Sequence, residues 1–158
     1  MICFDTIMHA REIQAKNLAK FLIEQVKELS PAVEIHGVVT QPRRMMPIAI
    51  HGKAYKPDVP YCIGSYSTLV GHYIKEAGYQ VFYVDPLADD RTDCINELEI
   101  PAVILMAHNR KITYGYTGEQ ADDLDYFKFK QGSIIVDPWR KEPERDGITV
   151  IHYGNTRK

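Results

Sequence analysis

Ile48-Ala49-Ile50 is a short apolar run that Gly52 cuts off, and beyond the glycine the chain enters a loop carrying Lys56, Pro57 and Asp58. A run of this kind reads as a buried strand. Glycine at its end supplies the backbone freedom for a tight turn, or for close approach to a ligand. Lys56 is thereby set near the carboxyl end of a strand, the end at which open parallel sheets bind ligands. A solvated loop lysine after an ordinary turn is the alternative reading.

The flanking segments fit an alternation of helices and strands. Met8, Ala15, Leu18, Leu22, Val26 and Leu29 recur at helical spacing, so Asp5 to Leu29 is expected as one helix stopped by Ser30-Pro31. Such a stripe can bury against its own sheet or against a second copy of the chain. Val33 to Thr40 is compatible with one short strand, broken by Gln41-Pro-Arg-Arg44. Arg43 and Arg44 read as a solvated basic turn, with phosphate binding the lesser alternative.

Pro57-Asp-Val-Pro60 forces an extended loop. Ser65 then stands as an N-cap before Tyr66, Leu69, Tyr73 and Ala77, and Gly78 closes the helix. The amides of Gly64 and Ser65 are a candidate phosphate contact, because a helix N-terminus favours anions. Gln80 to Val84 is the next strand. No G-x-G-x-x-G precedes its terminal Asp85, so NAD binding is not expected, and Asp85 reads as a turn former, with ligand contact the lesser alternative.

Asp89 to Asp93 is a polar loop, and Cys94 to Leu98 is expected as a short helix. Ala102 to Met106 has the unbroken apolarity of a strand covered on both faces, and it brings His108 to the same rim as Lys56. His108 is either a rim-lining side chain or a general base that needs an orienting partner. Residues 109–120 read as an aromatic loop able to stack on a base or sugar or simply to pack. A helix over Asp122 to Lys130, strands over Ser133 to Val136 and Ile148 to His152, and a frayed tail from Gly154 complete the chain.

The resulting expectation is an α/β, Rossmann-like three-layer fold. Its mainly parallel sheet has five or six strands, helices lie on both faces, and right-handed crossovers connect them. A long N-terminal helix in residues 1–30 precedes the α/β domain of residues 31–158. A formal charge of −2 and 45% hydrophobic residues exclude a polyanion binder and a disordered tail, so nucleic acid is not the expected partner. Cys3, Cys62 and Cys94 lack metal-ligand spacing and read as reduced thiols in a cytoplasmic protein. Every apolar run falls short of the roughly 20 residues that span a bilayer, so no membrane partner is expected.

Gly52-Lys-Ala-Tyr-Lys-Pro-Asp58 resembles the G-x-A-[FY]-K-P-D segment that opens the C-terminal, UDP-binding domain of the UDP-glucose/GDP-mannose dehydrogenase family, which includes the UDP-N-acetylmannosamine dehydrogenases. Ala10-Arg-Glu-Ile13 is similar to the A-R-x-[IV]-N start of the last part of the family's central helix. Gly78 to Pro86 resembles its G-x-x-V-x-x-[YH]-D-P strand. Ala102 to Met106 and Ile134-Ile-Val-Asp-Pro138 fit the family's fourth strand and its V-[VI]-D-x-[RK] strand end. The likeness runs in one order from about Ala10 to Arg140.

The resemblance implies a nucleotide-sugar site at Tyr55 and Lys56, with Gly52, Ser65 and His108 on the same rim. Arg140 is offset from the family's sugar-binding arginine by Pro138-Trp139, and Asp137 lies at the end of the same strand. It also implies a homodimer through the first half of the long helix. Where the family carries R-E-S, this chain has Ile63-Gly64-Ser65. The family's oxidation needs an NAD-binding Rossmann domain and a G-x-C-x-P-K-type thiol segment, and neither is found in this sequence. A UDP-sugar-binding chain that is not catalytic alone, binding no cofactor itself and reaching NAD only through a separate dehydrogenase half, is the leading expectation. A non-catalytic interaction or structural protein that kept the fold and lost the site is the alternative.

Overall fold

Four of the apolar runs become the inner strands and one edge of a sheet, because each is apolar up to its carboxyl end, where His51 and Asp137 close two of them, and can be covered on both sides. In the computed structural model, which describes residues 4–29, 33–35, 38–40, 46–95, 98–108 and 129–154, these strands are β3 (Ile48–His51), β4 (Val81–Val84), β5 (Val103–Met106) and β6 (Ile134–Asp137). With β7 (Thr149–His152) they form a five-stranded, wholly parallel sheet in the order β4-β3-β5-β6-β7. Among the described residues two helices, α1 (Phe4–Leu29) and α2 (Tyr66–Glu76), both pack on one face of this sheet, in an α/β, Rossmann-like architecture.

Side chains along the strands alternate between two cores, as the pleat requires. Ile48, Ile50, Val103, Leu105, Ile134 and Val136 join the core shared with both helices. Ala49, Val84, Ile104, Met106 and Ile135 form the opposite core with Leu98 and Ala102. The chain leaves β3 through α2 to reach the edge strand β4, then crosses back to β5 on the other side of β3. The strand order therefore reverses between β3 and β5, which opens a crevice at their carboxyl ends.

Ser65 starts α2 by accepting a hydrogen bond from the Ser67 amide at 3.1 Å. Bonds from the Gly78 and Tyr79 amides to the Lys75 and Ile74 carbonyls close it. Gly71 in the middle of α2 is there for space. A Cβ at that position would fall 2.0 Å from the Tyr83 hydroxyl, which the helix otherwise clears.

The second half of α1 buries Ala15, Leu18, Leu22, Ile23 and Val26 against α2 and the sheet. Its first half leaves Phe4 (73% exposed), Ile7 and Ile13 uncovered. Where a single short strand is expected over Val33 to Thr40, two form: β1 (Val33–Ile35) pairs antiparallel with β2 (Val38–Thr40).

The helix expected at Cys94 to Leu98 is corrected at the residues of that range that the structure describes, Cys94, Ile95 and Leu98, none of which is helical. Cys94 bridges to Tyr83 in parallel, the Tyr83 amide donates to the Asp93 carbonyl at 3.0 Å, and the Ile95 amide donates to the Tyr83 carbonyl at 2.8 Å. The cause is the outer edge of β4, whose unpaired backbone groups draw Cys94 and Ile95 alongside it. The loop expected at 109–120 lies outside the described residues. So does the helix expected at 122–130, apart from Phe129 and Lys130, which are not helical. The breaks at Ser30-Pro31 and residues 41–44, with Arg43 and Arg44, also lie outside them, as does the tail beyond Gly154. No helix among the described residues is long and apolar enough to cross a membrane.

Candidate functional site

The carboxyl rim of β3 and β4 is tied together by one buried carboxylate. Asp85 accepts from the Lys53 and Ala54 amides at 2.8 and 2.9 Å through one oxygen, and from the Leu87 amide at 3.2 Å through the other. It thus forms its own turn and fixes the loop after β3. Gly52 enters that loop at φ 101°, its amide donating to the Val84 carbonyl at 2.9 Å.

Glycine is required at position 52 for a second reason. The His108 ring lies against it, and a Cβ there would come within 2.4 Å of the ring. Nε2 of His108 lies 3.0 Å from the Ala54 carbonyl. A carbonyl only accepts, so Nε2 carries the proton. The Ser65 hydroxyl donates to the same oxygen at 3.2 Å. Gly52, Ser65 and His108 therefore do come together, around the Ala54 carbonyl, and the His108 ring fills the crevice between β3 and β5.

Beneath them His51 is fully buried, and neither ring nitrogen has a hydrogen-bond partner among the described residues. Burial, reinforced by His108 and opposed by Asp85, pulls its pKa down from 6.5 to about 4. His51 is neutral at physiological pH.

Tyr55 and Lys56 lie on the exposed outer part of the loop, which the Tyr55 amide closes through a 2.7 Å bond to the Tyr61 carbonyl. Tyr55 is 61% exposed and available for stacking. The Ser65 amide is engaged, donating to the Cys62 carbonyl at 3.1 Å. The Arg11 guanidinium of α1 donates to the Gly64 carbonyl. The Gly64-Ser65 turn is thus held largely by internal bonds.

Lys53 is the residue that sequence reasoning missed. Its side chain is only 4% exposed, with Nζ 3.0 Å from an Asp90 carboxylate oxygen, 2.8 Å from the Asp90 carbonyl and 5.2 Å from the centre of the Tyr83 ring. Thr92, through hydroxyl and amide, and then Lys53 hold the Asp90 carboxyl well below the ordinary range. The acid-rich stretch Asp89 to Asp93 is the sequence signal that could have found this pairing.

On the far side of the crevice, the buried Asp137 carboxylate accepts from the Trp139 amide at 2.8 Å, the Lys141 amide at 2.6 Å and the Glu142 amide at 2.8 Å. This turn sends the Trp139 indole to the Ala107 carbonyl, to which Nε1 donates at 3.2 Å. Arg140 follows, exposed, at φ 57°. Cys62 and Cys94 are free thiols that burial pushes up in pKa. Among the described residues no group of three or more His, Cys, Asp or Glu is placed to hold a metal ion.

No family model and no curated protein matches the chain. Among solved structures, it is similar to the UDP-D-ManNAc dehydrogenase of Pyrococcus horikoshii at 19% sequence identity and a TM-score of 0.47. The alignment covers 87% of this chain and 30% of that one, so this chain spans less than a third of that protein's length.

Proposed function

We propose that this chain binds a nucleotide sugar, a UDP-sugar or a close relative, at the carboxyl rim of β3 and β5. It has no catalytic activity alone, and oxidation of the sugar would require a separate NAD-binding partner chain in the cytoplasm. The observation that carries the reading is the reversal of strand order between β3 and β5. It sets Gly52 and the Tyr55-Lys56 loop on one side of a switch point and His108 on the other. Lys56 supplies a charge for a diphosphate, Tyr55 a stacking face, and Arg140 a second cation from the β6 turn.

Calorimetry with UDP, GDP and their sugar conjugates, with NAD as control, tests this proposal. UDP or a UDP-sugar is expected to bind more tightly than NAD, and equal or absent heats would overturn it. The uncovered first half of α1 supports a homodimer, because an apolar stripe of that kind is rarely left in water. Sedimentation as a monomer at micromolar concentration would refute the dimer.

One observation favours a second reading, a non-catalytic interaction protein. The crevice holds the chain's own His108 ring, while the neighbouring loop exposes Ile63 (93%), Tyr61 and Tyr55. Absence of binding by every nucleotide would leave that reading in place.

A further inference from the structure

Beside the switch point, on the helix side of the sheet, lies a pocket of about 490 Å³ between α1 and the ends of β5 and β6. Its walls are Trp139, Tyr66 and Tyr153, with Gln14 and Asn17 of α1 at the edge and Leu105 at the floor. The size is that of ordinary small-molecule pockets, about 300–1,000 Å³.

The aromatic walls are held in place. Trp139 is 45% exposed, yet it is pinned by its indole bond to the Ala107 carbonyl and by the Asp137 turn. The Tyr153 ring packs on Phe21 with centroids 4.8 Å apart, and its amide donates to the Asp137 carbonyl at 3.1 Å. Tyr66 is the first residue of the capped helix α2. A ligand stacking here orders little that is not already ordered.

The chemistry of the lining narrows the ligand. No Asp, Glu, Lys, Arg or His is among the described residues that line the pocket, and burial pushes the Tyr66 phenol up against the opposing pull of Arg11, whose guanidinium is held at the Gly64 carbonyl, so the described lining itself offers no charge. Each carboxamide offers both a donor and an acceptor. A flat, neutral ring with donors and acceptors on its edge satisfies all of this, and a phosphate does not.

We propose that this pocket takes the heteroaromatic base of a nucleotide, stacked on Trp139, with its edge hydrogen-bonded by Gln14 and Asn17. The inference rests on the nucleotide-sugar reading and extends it. The pocket adjoins the switch point at two places, Tyr66 beside Ser65 and Ala107 beside His108, so a base lodged here directs its phosphates over that boundary towards Tyr55 and Lys56.

Trp139 is the single tryptophan of the chain, so its fluorescence reports on this pocket alone. Full-length protein is titrated with uridine and with ribose 5-phosphate as the base-free control. Saturable quenching by uridine and none by ribose 5-phosphate is expected. Gln14 and Asn17 lie on the exposed side of a helix, where alanine is well tolerated. Asn17→Ala should therefore weaken uridine about two- to tenfold, the worth of one hydrogen bond, with its helical circular dichroism unchanged.

If UDP binds by calorimetry, loses affinity in Lys56→Ala, and neither quenches Trp139 nor responds to Asn17→Ala, the base pocket is overturned and the nucleotide-sugar reading stands. If uridine quenches but no UDP-sugar binds more tightly than uridine itself, the pocket stands and that reading falls. Equal quenching by ribose 5-phosphate would also overturn the pocket.

Discussion

The two halves of the carboxyl rim are built on opposite plans. Around β3 and β4 the rim is closed by its own side chains: Asp85 is spent on three amides, Lys53 on Asp90, and the His108 ring on Gly52 and Ala54. Around β5 and β6 a carboxylate of the same kind, Asp137, is spent in the same way, but its turn swings Trp139 outward and leaves a pocket beside it. A buried carboxylate at a strand end is thus not in itself a ligand group. It shapes the loop, and what the loop presents decides whether the rim is sealed or open.

The sharpest way to break the sealed half is to remove its organiser. Asp85→Ala leaves the Lys53, Ala54 and Leu87 amides without their acceptor, and buried unsatisfied groups cost about 1–3 kcal/mol each. With partial relaxation, a loss of about 4 kcal/mol in urea unfolding is expected. A loss under about 1 kcal/mol would show that the rim is not held by this carboxylate.

Acid attacks the same half through His51. Its folded-state pKa of about 4 lies below the ordinary 6.5, so the unfolded chain binds the extra proton first between these values. The stability due to neutral His51 is complete above about pH 6.5 and is lost as pH falls towards 4, by about 3 kcal/mol. Because neither ring nitrogen has a partner among the described residues, His51→Leu should flatten this limb of the stability–pH curve at little cost near pH 7. An unchanged acid limb would exonerate His51.

A smaller effect tests packing behind the rim. Gly71→Ala gains helix propensity, but its Cβ meets the Tyr83 hydroxyl, and a net loss of about 2 kcal/mol is expected. Adding Tyr83→Phe should return part of it, and a double-mutant cycle measures that coupling.

The smallest stability effect separates the two lysines of the loop. Lys56→Ala should change unfolding by within about 0.5 kcal/mol while weakening UDP-sugar binding roughly ten- to a hundredfold. Unchanged affinity would mean that the domain reads its ligand elsewhere, and a large stability loss would make Lys56 structural.

Most of the framework was legible because it depends on local chemistry. Ile48 to Ile50, Val81 to Val84 and Val103 to Met106 are apolar throughout and could only be covered strands, and Ser65 and Gly78 bracket α2 as caps should. What was not legible depends on contacts across the chain. Cys94 and Ile95 have no local reason to be extended, and only the free edge of β4 at Tyr83 supplies one. Lys53 and Lys56 are indistinguishable by composition. Their different fates follow from where Asp90 lies once the chain has returned from β4. His108 could be assigned to the rim from the end of a strand, but not its ring to the space left by Gly52.

The Ala54 carbonyl accepts both from the Ser65 hydroxyl and from His108. This sharing has a consequence for rates. If the ring turns away, Ser65 still satisfies the oxygen, so the departure forfeits a single hydrogen bond, about 1 kcal/mol, and strands no acceptor. Gly52 offers no side chain to obstruct the swing. Clearing the crevice would then be a rotamer event of one residue rather than a loop rearrangement.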